Sequence, residues 1–305
     1  MKKRFALPFV VLLTLGLLAA TGCDRSNYAA SDQVILEAKD LPQYIGKEGV
    51  VILDMQKPEA YAQGHVAGAV NYAVSSILVS LPVPNSLAPG RKVATSLGNA
   101  GVGNDSLVVI YDEGKSLNAA RLWWTLLVYG HDKVKVVSGG LPAIKAAGIA
   151  MTPDVPQVTP KEFTTTDKRG LYLATMRDVR KQVDDPDPKT ILLDTRTDKE
   201  YREEGKIPGS MMMDHMRNFY KDGTFLDTRA TRINYIERGI RTDNNVIVYC
   251  KTSMRAAPVF LRLWDAGYRN VKLYDGAWTE WSQNSANPIE RPDGAAVPIS
   301  PRDNS

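Results

Sequence analysis

Short β-branched runs recur along the first half of the chain: residues 50–53 (VVIL), Leu107–Tyr111 (LVVIY) and Val134–Val137 (VKVV). They carry almost no alternating polar positions, so each reads as a strand buried on both faces, as in a parallel sheet. The intervening stretches change period. Ala120, Trp123, Trp124 and Leu127 recur at i, i+3, i+4 and i+7, and Gly130 ends the pattern; such spacing gives one apolar helical face with a C-terminal stop. Ala257, Phe260, Leu261 and Trp264 repeat it, with Gly267 as the stop. Strands alternating with helices predict an α/β fold, a mostly parallel sheet with helices on both faces.

The whole pattern occurs twice. VVILDMQKPEAYAQGHVAGAVN (50–71) aligns with TILLDTRTDKEYREEGKIPGSMM (190–212), pairing Asp54 with Asp194, Tyr61 with Tyr201 and Gly68 with Gly209. SLVVIYD, ending at Asp112, aligns with NVIVYC, ending at Cys250, and YGHDKVKVVSGGLPAI (129–144) aligns with AGYRNVKLYDGAWTEW (266–281). Three matched blocks in one order, offset by about 140 residues, predict a duplicated domain. The expected division is a first domain over 31–150, a Pro-rich linker at 151–160, a second domain over 161–290 and an irregular, Pro-rich tail at 291–305.

Composition fits two domains: 305 residues, 44% hydrophobic and 24% charged. The net charge of +4 comes without a block of Lys or Arg, which argues against nucleic acid and only weakly for small anions. At the start, Lys2, Lys3 and Arg4 precede the apolar FALPFVVLLTLGLLAA, and small residues lead to Cys23. That is the three-part pattern of an export signal over 1–22, followed by a tether at 23–30. The apolar run is short for a spanning helix. Ala20-Thr21-Gly22-Cys23 resembles a bacterial lipobox, which implies a lipidated Cys23 and a protein held at the periplasmic face of a membrane, the inner one if Asp24 acts as a retention signal. The alternative is a plain secretory peptide cut near Cys23.

Cys250 is the only other cysteine. With Cys23 lipidated it has no partner in the chain and is expected to be a reactive thiol; with Cys23 free, a Cys23–Cys250 disulfide is the alternative. Cys250 ends an apolar run and leads through Lys251, Thr252, Ser253, Met254 and Arg255 into the helical pattern. A strand, a tight loop and a helix aim successive main-chain N–H groups and the positive helix end at one point, which favours an anion there. With Lys251 and Arg255 this field is expected to lower the thiol's pKa. Cys250 is therefore the candidate nucleophile, and residues 251–255 are the candidate cradle for an anionic substrate or the outer sulfur of a persulfide.

ILLDTR with Asp194, the following EY with Tyr201, GKIPGS with Gly205 and Gly209, VIVYCKTSMR with Cys250, and LYDGAWTEW with Gly276 and Trp278 together resemble the tandem-domain rhodaneses, the family of thiosulfate and 3-mercaptopyruvate sulfurtransferases. The resemblance covers nearly all of the chain after residue 30. It implies that Cys250 attacks the sulfane sulfur of a small anionic donor, holds it as a persulfide and passes it to cyanide or a thiol, with no metal or cofactor. Asp194 and Trp278 are implied as supporting residues. Asp112 stands where the first copy would need a thiol; a carboxylate cannot form a persulfide, so that half resembles the inactive, structural domains of the family. Four residues separate Cys250 from Arg255, one fewer than in related cysteine phosphatases and arsenate reductases, which favours sulfur over phosphate.

Two departures bear on the donor. Ser253 stands where the family often has Gly, and Glu200 where tandem enzymes tend to place a substrate-binding Arg; Arg196 or Arg202 is the candidate replacement. A noncatalytic sulfur carrier or protein-binding module is the rival reading, and a phosphatase or arsenate reductase the third. His65, His131 and His215 lack metal-ligand spacing and read as structural. Met211, Met212 and Met213 read as packing, Trp123 and Trp124 as core, and Trp278 and Trp281 as either core or pocket wall. GNAGVGND (98–105) precedes a strand instead of opening a helix, against dinucleotide binding.

Overall fold

The computed structural model describes residues 34–292 and 296–298. The expected export signal, Cys23, Asp24 and the tether lie outside the described residues. Each half builds a five-stranded, all-parallel sheet. In the first the order is Ile35–Leu36, Val134–Val137, Leu107–Tyr111, Val50–Asp54, Val70–Asn71; in the second it is Leu173–Ala174, Val271–Tyr274, Asn245–Tyr249, Thr190–Asp194, Met211–Met212. Counted along each half, the orders are identical, so the duplicated α/β architecture read from the sequence is the one the chain adopts.

The unbroken apolar runs have a direct structural reason. In the central strand of the first sheet Val108 and Ile110 point into one core while Val109 and Tyr111 point into another; in the second sheet Val246 and Val248 are likewise opposed to Ile247 and Tyr249. Both faces are buried, so no position is left for a polar side chain. The core containing Val108, Ile110, Val246 and Val248 is shared by the two halves. Across it the helix Leu117–Val128 faces the helix Ala256–Asp265, and Trp123 packs on Phe260 and Trp264 with ring centroids 5.8 and 6.4 Å apart. Trp124 is buried too and donates from Nε1 to the Tyr172 carbonyl at 3.2 Å.

Two boundaries differ from expectation. Met151–Thr152 pairs antiparallel with His65–Val66, and residues 153–168 then run without helix or strand along the first half. The Lys161 N–H donates to the Gly98 carbonyl at 3.0 Å and the Thr166 N–H to Tyr129 at 2.9 Å. A Cβ on Gly98 would stand 2.4 Å from the Lys161 carbonyl oxygen. Gly98 in the Gly-rich 98–105 segment thus permits this close approach of the connecting chain. The tail is not wholly irregular: Ala296–Pro298 returns antiparallel onto Pro288–Glu290, which extends the second half beyond residue 290.

Candidate active site

Cys250 follows the Asn245–Tyr249 strand at its C-terminal end, and residues 251–255 turn directly into the helix Ala256–Asp265. The turn is held from the segment after Val271–Tyr274: Trp278 N–H donates to the Cys250 carbonyl at 2.9 Å, and Thr279 donates to the Lys251 carbonyl from its N–H at 3.1 Å and its Oγ1 at 2.6 Å. Ser253 sits at φ +60°, the left-handed region that a Cβ disfavours. It is fully buried, and its hydroxyl donates to Asp275 at 3.2 Å. Met254 is half-buried.

The electrostatics of the thiol differ from the sequence expectation. Cys250 is only 1% exposed and belongs to the shared core. Burial pushes its pKa up, against the Arg255 charge and the N–H groups of Thr252, Ala256 and Arg255. The predicted field is present, but desolvation of the thiolate outweighs it. Lys251 does not add to it, because its ammonium is paired with Glu204.

Arg255 is engaged as well. Its Nη1 and Nη2 donate to the two oxygens of Glu200 at 2.7 and 2.6 Å. Glu200 also closes the helix Asp198–Glu204 as the third residue of a capping box, accepting from the Thr197 N–H at 3.0 Å and Oγ1 at 2.9 Å. Burial alone would raise the Glu200 carboxyl, but Arg255 and Thr197 outweigh it and hold the group down at about 2.

Arg196 cannot stand in as a donor-binding group. It is fully buried, donates to both oxygens of Asp194 (3.0 Å from Nε, 2.6 Å from Nη2) and to the Gly205 carbonyl at 2.7 Å, and lies 4.3 Å from the Trp278 ring centroid. Asp194 and Trp278 thus fix Arg196 beneath the site. Trp278 and Trp281 are both core residues. Arg202 is exposed on the helix that carries Glu200.

The first half shows what the equivalent loop does with a carboxylate. Asp112 is buried and accepts from the N–H groups of Gly114 at 2.9 Å, Asn118 at 3.1 Å and Ala119 at 3.2 Å. Its own side chain fills the cradle. Burial nonetheless pushes its carboxyl up to about 6. From this half Asn85 reaches the Cys250 loop and Arg121 reaches Asp275, which anchors that loop through Ser253. Asn85 Nδ2 donates to Thr252 Oγ1 at 3.2 Å, and Arg121 Nη2 donates to Asp275 at 2.6 Å and to the Asn85 carbonyl at 2.9 Å.

His215 is buried near the loop, its Nδ1 2.9 Å from Asp214 Oδ1, and burial pushes its pKa down. His65 stacks on Tyr61 and contacts the Tyr61 and Asp154 carbonyls, and His131 packs edge-on to Phe163. Met213 is core, while Met211 and Met212 form the edge strand. Sequence reasoning passed over Glu204, Asp275, Thr279 and Asn85. Only Glu204 left a readable signal, since it stands four residues after Glu200 on one helix face.

With the geometry in hand, comparison with known proteins is specific. The model of the rhodanese-like domain matches twice, over residues 37–147 and 175–284. A putative thiosulfate sulfurtransferase of Haloferax volcanii is 29% identical over 248 residues, 76% of this chain and 85% of its own length. The 3-mercaptopyruvate sulfurtransferase of Escherichia coli is 26% identical over 245 residues, covering 78% and 87%. The crystal structure of SseA from Escherichia coli, described as a 3-mercaptopyruvate sulfotransferase with the "Rhodanese" fold, superposes with a TM-score of 0.73 at 25% identity, covering 81% of this chain and 99% of that one.

Proposed function

Because the chain belongs to the rhodanese-like domain family, with one such domain in each half, we propose that it is a sulfurtransferase working through a persulfide on Cys250. The observation that carries this reading is one sulfur atom at a strand end with the N–H groups of Thr252, Arg255 and Ala256 and the Arg255 charge directed at it. Such a cradle offsets part of the cost of burying an anionic sulfur, while burial still holds the thiol's pKa up. With thiosulfate as donor, the Cys250 thiolate attacks the outer sulfur, the S–S bond breaks, and its electron pair leaves with sulfite. Cyanide, or a thiolate, then attacks the outer sulfur of the persulfide; the second S–S bond breaks and the Cys250 thiolate returns. The first half holds Asp112 in the equivalent cradle and has no nucleophile there, so one turnover site per chain is proposed.

The test is direct. Wild type incubated with thiosulfate or 3-mercaptopyruvate should gain the mass of one sulfur atom and release thiocyanate on addition of cyanide. No added sulfur from either donor would sink the reading, and sulfur retained in Cys250→Ser would sink the residue assignment.

The charged, apolar and small-residue pattern ending at Cys23 supports a further part of the proposal: export, followed by lipid anchoring at Cys23 on the periplasmic side of a membrane. Incorporation of labelled palmitate that disappears in Cys23→Ser is the expected result. Equal labelling of both would rule out Cys23 as the acylated residue.

A further inference from the structure

Among the described residues, the cations Arg196, Lys251 and Arg255 are each met by a carboxylate: Arg196 by Asp194 and Glu204, Lys251 by Glu204 and Arg255 by Glu200. Glu200 and Glu204 stand one turn apart on the helix Asp198–Glu204, so a single element supplies two of the counter-charges. The Glu200 contact is two-pronged and pre-set, because Thr197 holds the same carboxylate from two sides. Arg255 is the one side-chain cation whose charge acts on the Cys250 sulfur among the main influences on it. An approaching donor therefore meets Arg255 and Glu200 together, a pair of no net charge, where Arg255 alone would attract an anion in proportion to its charge.

We propose that Glu200, seconded by Glu204, determines donor specificity: it offsets Arg255 and tunes the site toward sulfane donors of one negative charge or none, such as organic thiosulfonates and hydropersulfides, and away from dianionic thiosulfate. This rests on the sulfur-transfer reading above. The chemistry is common to all these donors. The Cys250 thiolate attacks the outer sulfur, the S–S bond breaks, and the electron pair departs with sulfite, a sulfinate or a thiolate, so donors can be compared by charge at constant reaction type.

The experiment measures kcat/KM for thiosulfate and for methanethiosulfonate, with cyanide as acceptor, in wild type and Glu200→Gln. Gln keeps an oxygen for the Thr197 capping hydrogen bonds and removes the charge together with one of the two Arg255 contacts. The thiosulfate to methanethiosulfonate ratio should rise by about threefold to tenfold, the Coulomb effect of one charge on the extra charge of the dianion at this range. Glu200→Asp should keep the wild-type ratio, and Glu204→Gln should raise it by less than Glu200→Gln, which keeps the test open if Glu200→Gln folds poorly. A merely structural Glu200 would change both donors in parallel; an unchanged ratio in both Gln variants overturns the inference while leaving sulfur transfer intact. Failure of wild type to take sulfur from either donor overturns the function itself, and this inference with it.

Discussion

The Cys250 sulfur is almost fully buried, and loss of hydration outweighs the Arg255 charge and the surrounding N–H groups, so its pKa lies above the ordinary thiol value. The thiolate fraction should therefore still be climbing at about pH 9. Rates of Cys250 alkylation by iodoacetamide, followed by mass, should rise across this range; a plateau near neutral pH would contradict it. Ser253 poses a second residue-scale question, because its φ of +60° disfavours any Cβ while its hydroxyl is anchored on Asp275. In Ser253→Gly the relief of backbone strain, about 1 kcal/mol, offsets the loss of one hydrogen bond, about 1 kcal/mol. Stability should stay within about 1 kcal/mol of wild type. Ser253→Val adds a β-branched side chain in the left-handed region and leaves Asp275 one donor short; denaturant unfolding should show a loss of about 2–4 kcal/mol.

Among the elements, the helix Asp198–Glu204 is short for its importance, and Thr197 and Glu200 hold its first turn. The Glu200 carboxyl lies at about 2 against an ordinary 4.5. A depressed carboxyl stabilises the fold at pH values above its unfolded pKa and loses that contribution as pH falls through the folded one. Discounted for solvent screening at this partly exposed pair, about 1–2 kcal/mol is at stake. The stability gap between wild type and Glu200→Gln should be widest near neutral pH and close between about pH 4.5 and 2, which unfolding curves at several pH values would check. A gap independent of pH would mean that the ion pair contributes nothing. Strands, helices and the duplication were legible because burial on both sheet faces and on one helix face writes a period into the sequence. The Ala256–Asp265 helix and the Leu107–Tyr111 strand fall where that period places them. Partner choice writes no period. Glu200 could be recognised as a departure from the family's pattern, but its engagement of Arg255, 55 residues away, could not be read. The direction of the Cys250 shift was missed for a related reason: the N–H cradle and cations are visible as local residue types, whereas burial depends on how the shared core packs.

The two halves meet as one core, and the first half extends to the Cys250 loop. Asp275 accepts from Arg121 Nη2 at 2.6 Å, from the Leu87 N–H at 2.7 Å and from Ser253 Oγ at 3.2 Å, so two first-half groups and one loop residue converge on one carboxylate. Arg121 is fully buried and Asp275 is 12% exposed. Removing one partner of such a pair leaves the other charge desolvated and uncompensated. Arg121→Met should therefore cost about 3–5 kcal/mol of stability. The double variant Arg121→Met with Asp275→Asn should lose less than the two single losses combined, by a coupling of about 1–3 kcal/mol. Denaturant unfolding of the four proteins gives that cycle. If the pair also positions the loop, sulfur loading of Cys250 in Asp275→Asn should fall even at temperatures where the variant is fully folded, because the amide has one acceptor oxygen in place of two and cannot serve Arg121, Leu87 and Ser253 together. Folded Asp275→Asn with wild-type loading would confine the first half to stabilisation; a slower loading rate with unchanged KM would make Asp275 the link through which the first half supports chemistry in the other.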